Sequence, residues 1–195
     1  MIRKDFDIIS DWINPNSRIL DLGCGDGALL QLLRKKKSTS GYGIDSSIEK
    51  TVKSLDNKGN IINADIINNL GYFKSKSFDY VVLAQSLQVV DSPVLLIKEM
   101  LRVGEEAIIS FPNMGYWKSR LYLLVKGEMP VTDELPYNWH STPNIHLCTI
   151  SDFKKMCEIN NFRVIDEVIN NSSGKDISSK YLSNFLGVSA IFRIR

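Results

Sequence analysis

Three aspartates stand at the ends of three apolar runs. Asp21 follows Arg18-Ile-Leu20, Asp45 ends Gly41-Tyr-Gly-Ile44, and Asp65 ends Ile61-Ile-Asn-Ala64. Each run reads as a buried strand, so the carboxylates sit at three successive strand ends. The first run enters a glycine-rich turn, Asp21-Leu-Gly23-Cys-Gly25-Asp-Gly27, which opens the apolar helix Ala28-Leu-Leu-Gln-Leu-Leu33. Glycines permit backbone angles that other residues resist, and they let a ligand approach the main chain. The helix start adds N–H groups without intrahelical partners. An α/β protein builds a nucleotide or nucleoside site in this way at its first strand. Asp45, 24 positions after Asp21, stands where an acid accepts both ribose hydroxyls. Taken singly, each aspartate also suits a helix cap or a turn.

The glycine spacing narrows the ligand. A pyrophosphate fingerprint reads G-x-G-x-x-G, whereas this turn reads D-x-G-x-G-x-G. A dehydrogenase and a plain βα turn stay open as alternatives. The order resembles motif I of the class I S-adenosylmethionine (AdoMet) methyltransferases. AdoMet has a cationic sulfonium and an amino-acid tail, which suit a carboxylate at the turn better than phosphates would. That resemblance implies that Asp65 accepts from the adenine amino group.

The elements that must position these residues follow from periodicity. Ile2, Phe6, Ile9, Trp12 and Ile13 form a helical stripe. Helices are expected over about 26–37, 47–56, 93–102 and 151–160, and strands over about 18–22, 41–45, 60–65, 78–84 and 106–111. Ser46 with Glu49 reads as a capping box, and Thr149 or Ser151 as the cap of the later helix. The runs 162–169 and 189–195 have strand character around the polar loop Asn170–Lys175 and, joined without a helix, are expected to pair antiparallel. Strands alternating with helices predict a parallel sheet covered on both faces. The expected fold is α/β: a Rossmann-like class I methyltransferase fold with a seven-stranded, mostly parallel sheet. Ligands of such sheets lie beyond the carboxyl ends of the strands, where the Ala84-Gln85-Ser86 segment also falls.

A chain of 195 residues is within the range of one domain with a sizeable core, so residues 1–195 are read as a single domain. Its net charge of +2 argues for no particular partner. The one basic run, Arg34-Lys-Lys-Lys37, complements a helix C-terminus and lacks the broad aromatic-laced face of a nucleic-acid binder. Neither a nucleic acid nor a membrane is an expected partner. No apolar run approaches the roughly 18 residues of a membrane span, and the N-terminus lacks a signal-peptide core; a cytoplasmic location is expected. The three cysteines, Cys24, Cys148 and Cys157, form no C-x-x-C pair, so neither a disulfide framework nor a metal site is expected. Cys24 reads as a small packing residue of the turn, not a nucleophile.

Residues 112–150 interrupt the step from the fifth strand to the next helix. They hold four of the six prolines and both histidines. Tyr116–Lys126 reads as a helix ended by Gly127. So long a connection is usually functional, and it lies at the ligand end of the strands. Trp117, Leu121 and Leu124 recur at the spacing of a core-facing stripe. Trp117, Tyr137 and Trp139 are also of the kind concentrated at protein interfaces. His140, His146 and Tyr137 are the candidate general bases. His140 and His146 are not at metal-ligand spacing with a third ligand.

Ser77-Phe-Asp-Tyr80, Gln85-Ser-Leu-Gln88, Glu99-Met-Leu-Arg-Val-Gly104, Ser110-Phe-Pro-Asn113, Met129-Pro-Val-Thr132, Leu135-Pro-Tyr137 and Thr142-Pro-Asn-Ile-His-Leu-Cys-Thr149 join the glycine motif in resembling the MetW family. The resemblance runs from about residue 17 to 187. It implies a methyltransferase-like protein of methionine biosynthesis acting beside homoserine O-acyltransferase (MetX), with AdoMet or S-adenosylhomocysteine as ligand. It implies cofactor contacts at Asp21, Gly23, Cys24, Gly25, Asp45, Ser46, Asp65, Ile66 and Gln85. The chain departs from the family pattern at Asp45, where Glu is usual, and at His140, where Tyr is expected. Asp45 reaches less far toward a ribose. An active methyltransferase on a small acceptor is the alternative to an auxiliary subunit.

Overall fold

The computed structural model describes residues 4–55, 60–133, 135–172, 174, 176–177 and 182–195. Seven runs form one sheet in the order β3-β2-β1-β4-β5-β7-β6. They are β1 (Arg18–Leu22), β2 (Ser40–Asp45), β3 (Ile61–Asn63), β4 (Phe78–Ala84), β5 (Gly104–Pro112), β6 (Val164–Asn170) and β7 (Ser189–Ile194). The first five pair in parallel, and β7 runs antiparallel to both β5 and β6. The helices are α1 (Lys4–Trp12), α2 (Ala28–Lys37), α3 (Ile48–Leu55), α4 (Ile66–Leu70), α5 (Pro93–Val103), α6 (Trp117–Lys126), α7 (Ile150–Ile159) and α8 (Ser183–Leu186). The expected Rossmann-like methyltransferase architecture is the one found.

Both faces of the sheet are covered, which explains why β4 is apolar throughout. Tyr80, Val82 and Ala84 pack with Phe6 and Ile9 of α1 and Leu29, Leu30 and Leu33 of α2. The alternate residues Val81 and Leu83 pack with Leu96, Ile97 and Met100 of α5 and Phe153 of α7. By the same alternation Asp21 shares with Ile19 the face that α1 and α2 cover.

Several boundaries differ from expectation for local reasons. β3 stops at Asn63, so Asp65 lies beyond the strand, in the bend that starts α4. Thr51 N donates to Ser47 O at 3.0 Å, and Lys50 N to the Ser47 hydroxyl at 3.4 Å. Ser47 therefore caps α3, not Ser46. Thr149 caps α7 in a full capping box with Asp152, whose two hydrogen bonds from Thr149 hold the Asp152 carboxyl below its ordinary value. Gly104 both ends α5 and begins β5. The short α4, α8 and the 3₁₀ turn Leu87–Val89 carry no readable period, and α8 stands between two strands expected to join without a helix. Ile2, Asp56, Ser173 and Lys175 of the expected elements lie outside the described residues. Among the described residues no helix is long and apolar enough to cross a membrane.

Candidate functional site

Sheet growth reverses at β1, with β2 on one side and β4 on the other. Such a switch point opens a crevice at the carboxyl ends of the strands. A cleft of about 770 Å³ lies there, lined by Gly23, Cys24, Gly25 and Asp26 of the turn, by Ala84, Gln85 and Ser86 after β4, and by Phe6 of α1. Gln31, Leu32 and Lys35 of α2 and Lys50 of α3 complete its wall. The volume suits a nucleoside-sized ligand.

The turn is shaped by its glycines. Gly23, Gly25 and Gly27 have φ of 67°, 59° and 78°, a left-handed run that side chains resist. A Cβ on Gly23 would lie 2.6 Å from Ser86 Oγ and 3.9 Å from Ile66 Cδ1. The β1 turn, the β4 tip and the start of α4 therefore converge on one glycine. The Cys24 side chain packs against β2. A Cβ on Gly43 would lie 2.5 Å from its Sγ, so β2 is bare opposite the thiol. Burial, with the Asp21 and Asp45 carboxylates nearby, pushes that thiol far above its ordinary value.

Four amides of the turn are already bonded within the chain. Gly23 N and Cys24 N donate to Ile44 O at 2.8 and 3.2 Å, and Gly27 N to Cys24 O at 3.0 Å. Gly25 N donates to Asp45 Oδ2 at 2.8 Å, and Ser47 N to Asp45 Oδ1 at 2.9 Å. Asp45 thus ties the turn to the tip of β2, and it is buried. A carboxylate has about four acceptor positions, so each oxygen retains capacity for a hydroxyl.

The tip of β4 is strained. Gln85 has φ 57°, a conformation that only surrounding structure can enforce on such a residue. The enforcing contacts are Gln85 N to Ser110 O at 2.9 Å and to Ser110 Oγ at 3.0 Å. Ser110 in turn donates to the buried Asp5 of α1 at 3.0 Å. Gln88 Nε2 caps the arrangement from the other side on Gln85 O at 3.0 Å.

Of the expected cofactor residues, Gly23, Cys24, Gly25 and Gln85 line the cleft. Asp21 and Asp45 are buried behind it. Ile66 reaches the turn, while Ser46 and Asp65 are exposed at the tips of β2 and β3. The three candidate bases lie elsewhere. Tyr137 and His140 are exposed, and the His140 ring rests edge-on against Trp139. His146 is tied down, with Nε2 3.1 Å from Asp91 O and its amide on Gln88 O at 3.0 Å. Sequence reasoning missed Phe6, Gln31, Lys35 and Lys50, while the Ala84-Gln85-Ser86 segment stands where it was expected. Gln31 carried a signal, as the one polar residue inside an apolar helical run. Phe6 did not, since its helical stripe reads as core.

Comparison with known proteins agrees with this geometry. Residues 3–194 match the model of the family described as methionine biosynthesis protein MetW. The chain is 36% identical over 177 residues to the bifunctional methionine biosynthesis protein MetXA/MetW of Rhodopirellula baltica. That match covers 86% of this chain and 28% of the relative, so the chain spans little more than a quarter of that protein. Among solved structures, an S-adenosylmethionine dependent methyltransferase from Mesorhizobium loti superimposes with a TM-score of 0.70 at 13% identity, covering 99% of this chain and 98% of that one. A SAM-dependent methyltransferase from Archaeoglobus fulgidus superimposes with a TM-score of 0.68 at 15% identity, covering 97% and 93%. At such identities the likeness establishes the fold alone. The family match reaches nearly end to end, and the chain belongs to the methionine biosynthesis protein MetW family.

Proposed function

We propose that this chain binds AdoMet in the switch-point cleft and acts as an auxiliary subunit of homoserine O-acyltransferase. Residues 1–195 act as one methyltransferase-like domain, with 112–150 as an insertion, in the cytoplasm and with neither a nucleic acid nor a membrane as partner. The observation that carries the reading is the convergence of the left-handed Gly23 and Gly25 and the strained Gln85 on one cleft at the β1–β4 switch, backed by the buried Asp45, which accepts from Gly25 N.

The residues present fit the nucleoside. Gly23 and Gly25 admit its close approach to the main chain. The remaining acceptor positions of Asp45 suit ribose hydroxyls. Ile66 offers an apolar side chain for the adenine ring, and Asp65 an acceptor for its amino group. Asp21 lends negative potential beneath the cationic end. AdoMet, when bound, supplies a methyl group activated by its sulfonium. Transfer of that group would also need an aligned acceptor and, for many acceptors, a base. His140, His146 and Tyr137 do not line the cleft, so the geometry favours binding over transfer.

Regulation of the acyltransferase by AdoMet requires that AdoMet bind the free and complexed chain with different affinity. Titration calorimetry with AdoMet and S-adenosylhomocysteine tests the cleft, and saturable one-to-one binding is expected. Homoserine acylation by the partner, measured with and without this chain and AdoMet, tests the role. An unchanged acylation rate at every AdoMet level would count against it.

A further inference from the structure

Helix α6 presents its apolar residues outward. Of its ten residues, Ser119 is the buried one. Leu121, Leu123, Leu124 and Val125 are exposed by 48, 45, 82 and 73%. Leu121, Leu124 and Val125 share one face by their i, i+3, i+4 spacing. The chain beyond continues the pattern with Met129, Val131, Trp139 and Leu147. Among the described residues, ten of the 21 exposed large apolar side chains fall between 121 and 147. A monomer rarely shows a contiguous apolar patch beyond a few hundred Å², and larger ones mark interaction sites.

The start of the helix is nevertheless anchored. Asn113 Nδ2 donates to Asn184 O and Gly187 O at 3.0 and 2.8 Å, and Asn113 Oδ1 accepts from Gly115 N at 2.9 Å. Arg120 Nε donates to Gly115 O, and its guanidinium lies over the Phe185 ring at 5.8 Å. Gly127 stops the helix at φ 65°. The outward leucines thus follow directly on an anchored helix start.

We infer that the outward face of α6 is the surface on which homoserine O-acyltransferase docks. This inference rests on the partnership proposed above. The occupant follows from the relative in Rhodopirellula baltica, whose name joins MetXA and MetW on one polypeptide. A covalent link supplies a high effective concentration, whereas a separate chain must hold its partner through surface alone. Helix α6 carries Lys118, Arg120 and Lys126 and no acidic residue, so an apolar patch accompanied by acidic residues complements it. The insertion reaches the cleft at one remove, through Gln88. Ile145 N and His146 N donate to Gln88 O at 2.8 and 3.0 Å, and Gln88 holds Gln85. Docking on the insertion therefore bears on a residue lining that cleft.

The test uses the full chain and the purified acyltransferase of the same organism. L124D/V125D is expected to weaken the complex at least tenfold by calorimetry, while circular dichroism and AdoMet affinity stay at wild-type values. L121K serves as a second variant should the first lose its fold, with the same expectation. K118E/K126E is expected to slow association and reduce its salt dependence. Wild-type affinity in a folded L124D/V125D overturns the docking surface and leaves the partnership standing. Failure of the wild-type chain to bind the acyltransferase overturns both. A wild-type homodimer that L124D/V125D dissociates, with acyltransferase binding intact, overturns the assigned occupant in favour of a second copy.

Discussion

The Ser110 hydroxyl donates to the Asp5 carboxylate at 3.0 Å across 105 residues of sequence. Because the same hydroxyl accepts the Gln85 amide, the first turn of α1 braces the strained tip of β4. Ser110→Ala removes this donor from Asp5 and one acceptor from Gln85. The expected cost is about 1–3 kcal/mol, a fall in Tm of roughly 2–4 °C per kcal/mol for a chain of this size. Asp5→Asn keeps an acceptor and should cost less. Thermal denaturation of both variants checks the order.

Gly23→Ala meets two obstacles. Its φ of 67° costs an L-residue about 1–2 kcal/mol, and the new methyl would sit 2.6 Å from Ser86 Oγ. Lower stability and an AdoMet affinity weakened tenfold or more are expected. Adding Ser86→Ala removes the hydroxyl and should restore part of the affinity, though Ser86 Cβ would still lie 3.1 Å away. Calorimetry on the single and double variants measures the restoration.

Asp45→Asn replaces one acceptor oxygen by an NH₂ group facing a backbone N–H. Either Gly25 N or Ser47 N then loses its partner, at about 1–3 kcal/mol. Under the proposed reading the ribose acceptor is weakened at the same time. A thermal-shift titration should show a lower Tm without ligand and a smaller increment on adding AdoMet, since that increment reports affinity.

The three thiols should be inert in the folded chain. Burial, aided by Asp152, pushes Cys148 up to about 12. Burial, aided by Glu158, pushes Cys157 up to about 11, and Cys24 lies higher still. An unfolded thiol titrates near 8.5. Above that value the unfolded chain has released these protons while the folded chain retains them, so stability falls as pH rises toward the folded values. A thiol reagent at pH 8 should label the native chain slowly and the urea-unfolded chain fully. Urea midpoints should fall between pH 8 and pH 10, and less steeply in a C148A variant.

Much of the fold was legible because its signals are local. The glycine turn, the continuous apolar run of β4, the Pro93 start of α5 and the Gly127 stop of α6 each announce themselves within a few residues. The extent of β3 was not legible, since Ala64 and Asp65 continue its pattern while the backbone already bends into α4. Ser47 displaced Ser46 as the cap because Asp45 captures the Ser47 amide. The site was half legible. Glycines and strand-end acids reveal a cradle, but Phe6, Lys35 and Lys50 reach it only through packing of α1, α2 and α3 around the sheet. The outward face of α6 was illegible for a different reason: a stripe of leucines has the same spacing whether it faces a core or a partner.

The hydrogen bonds that close the glycine turn on itself have a kinetic corollary. A bend with four amides already bonded keeps its contour unaided, so the proposed nucleoside would arrive at a preformed socket. Under the proposed reading its encounter rate should then be governed by diffusion, with no folding of the bend itself to await.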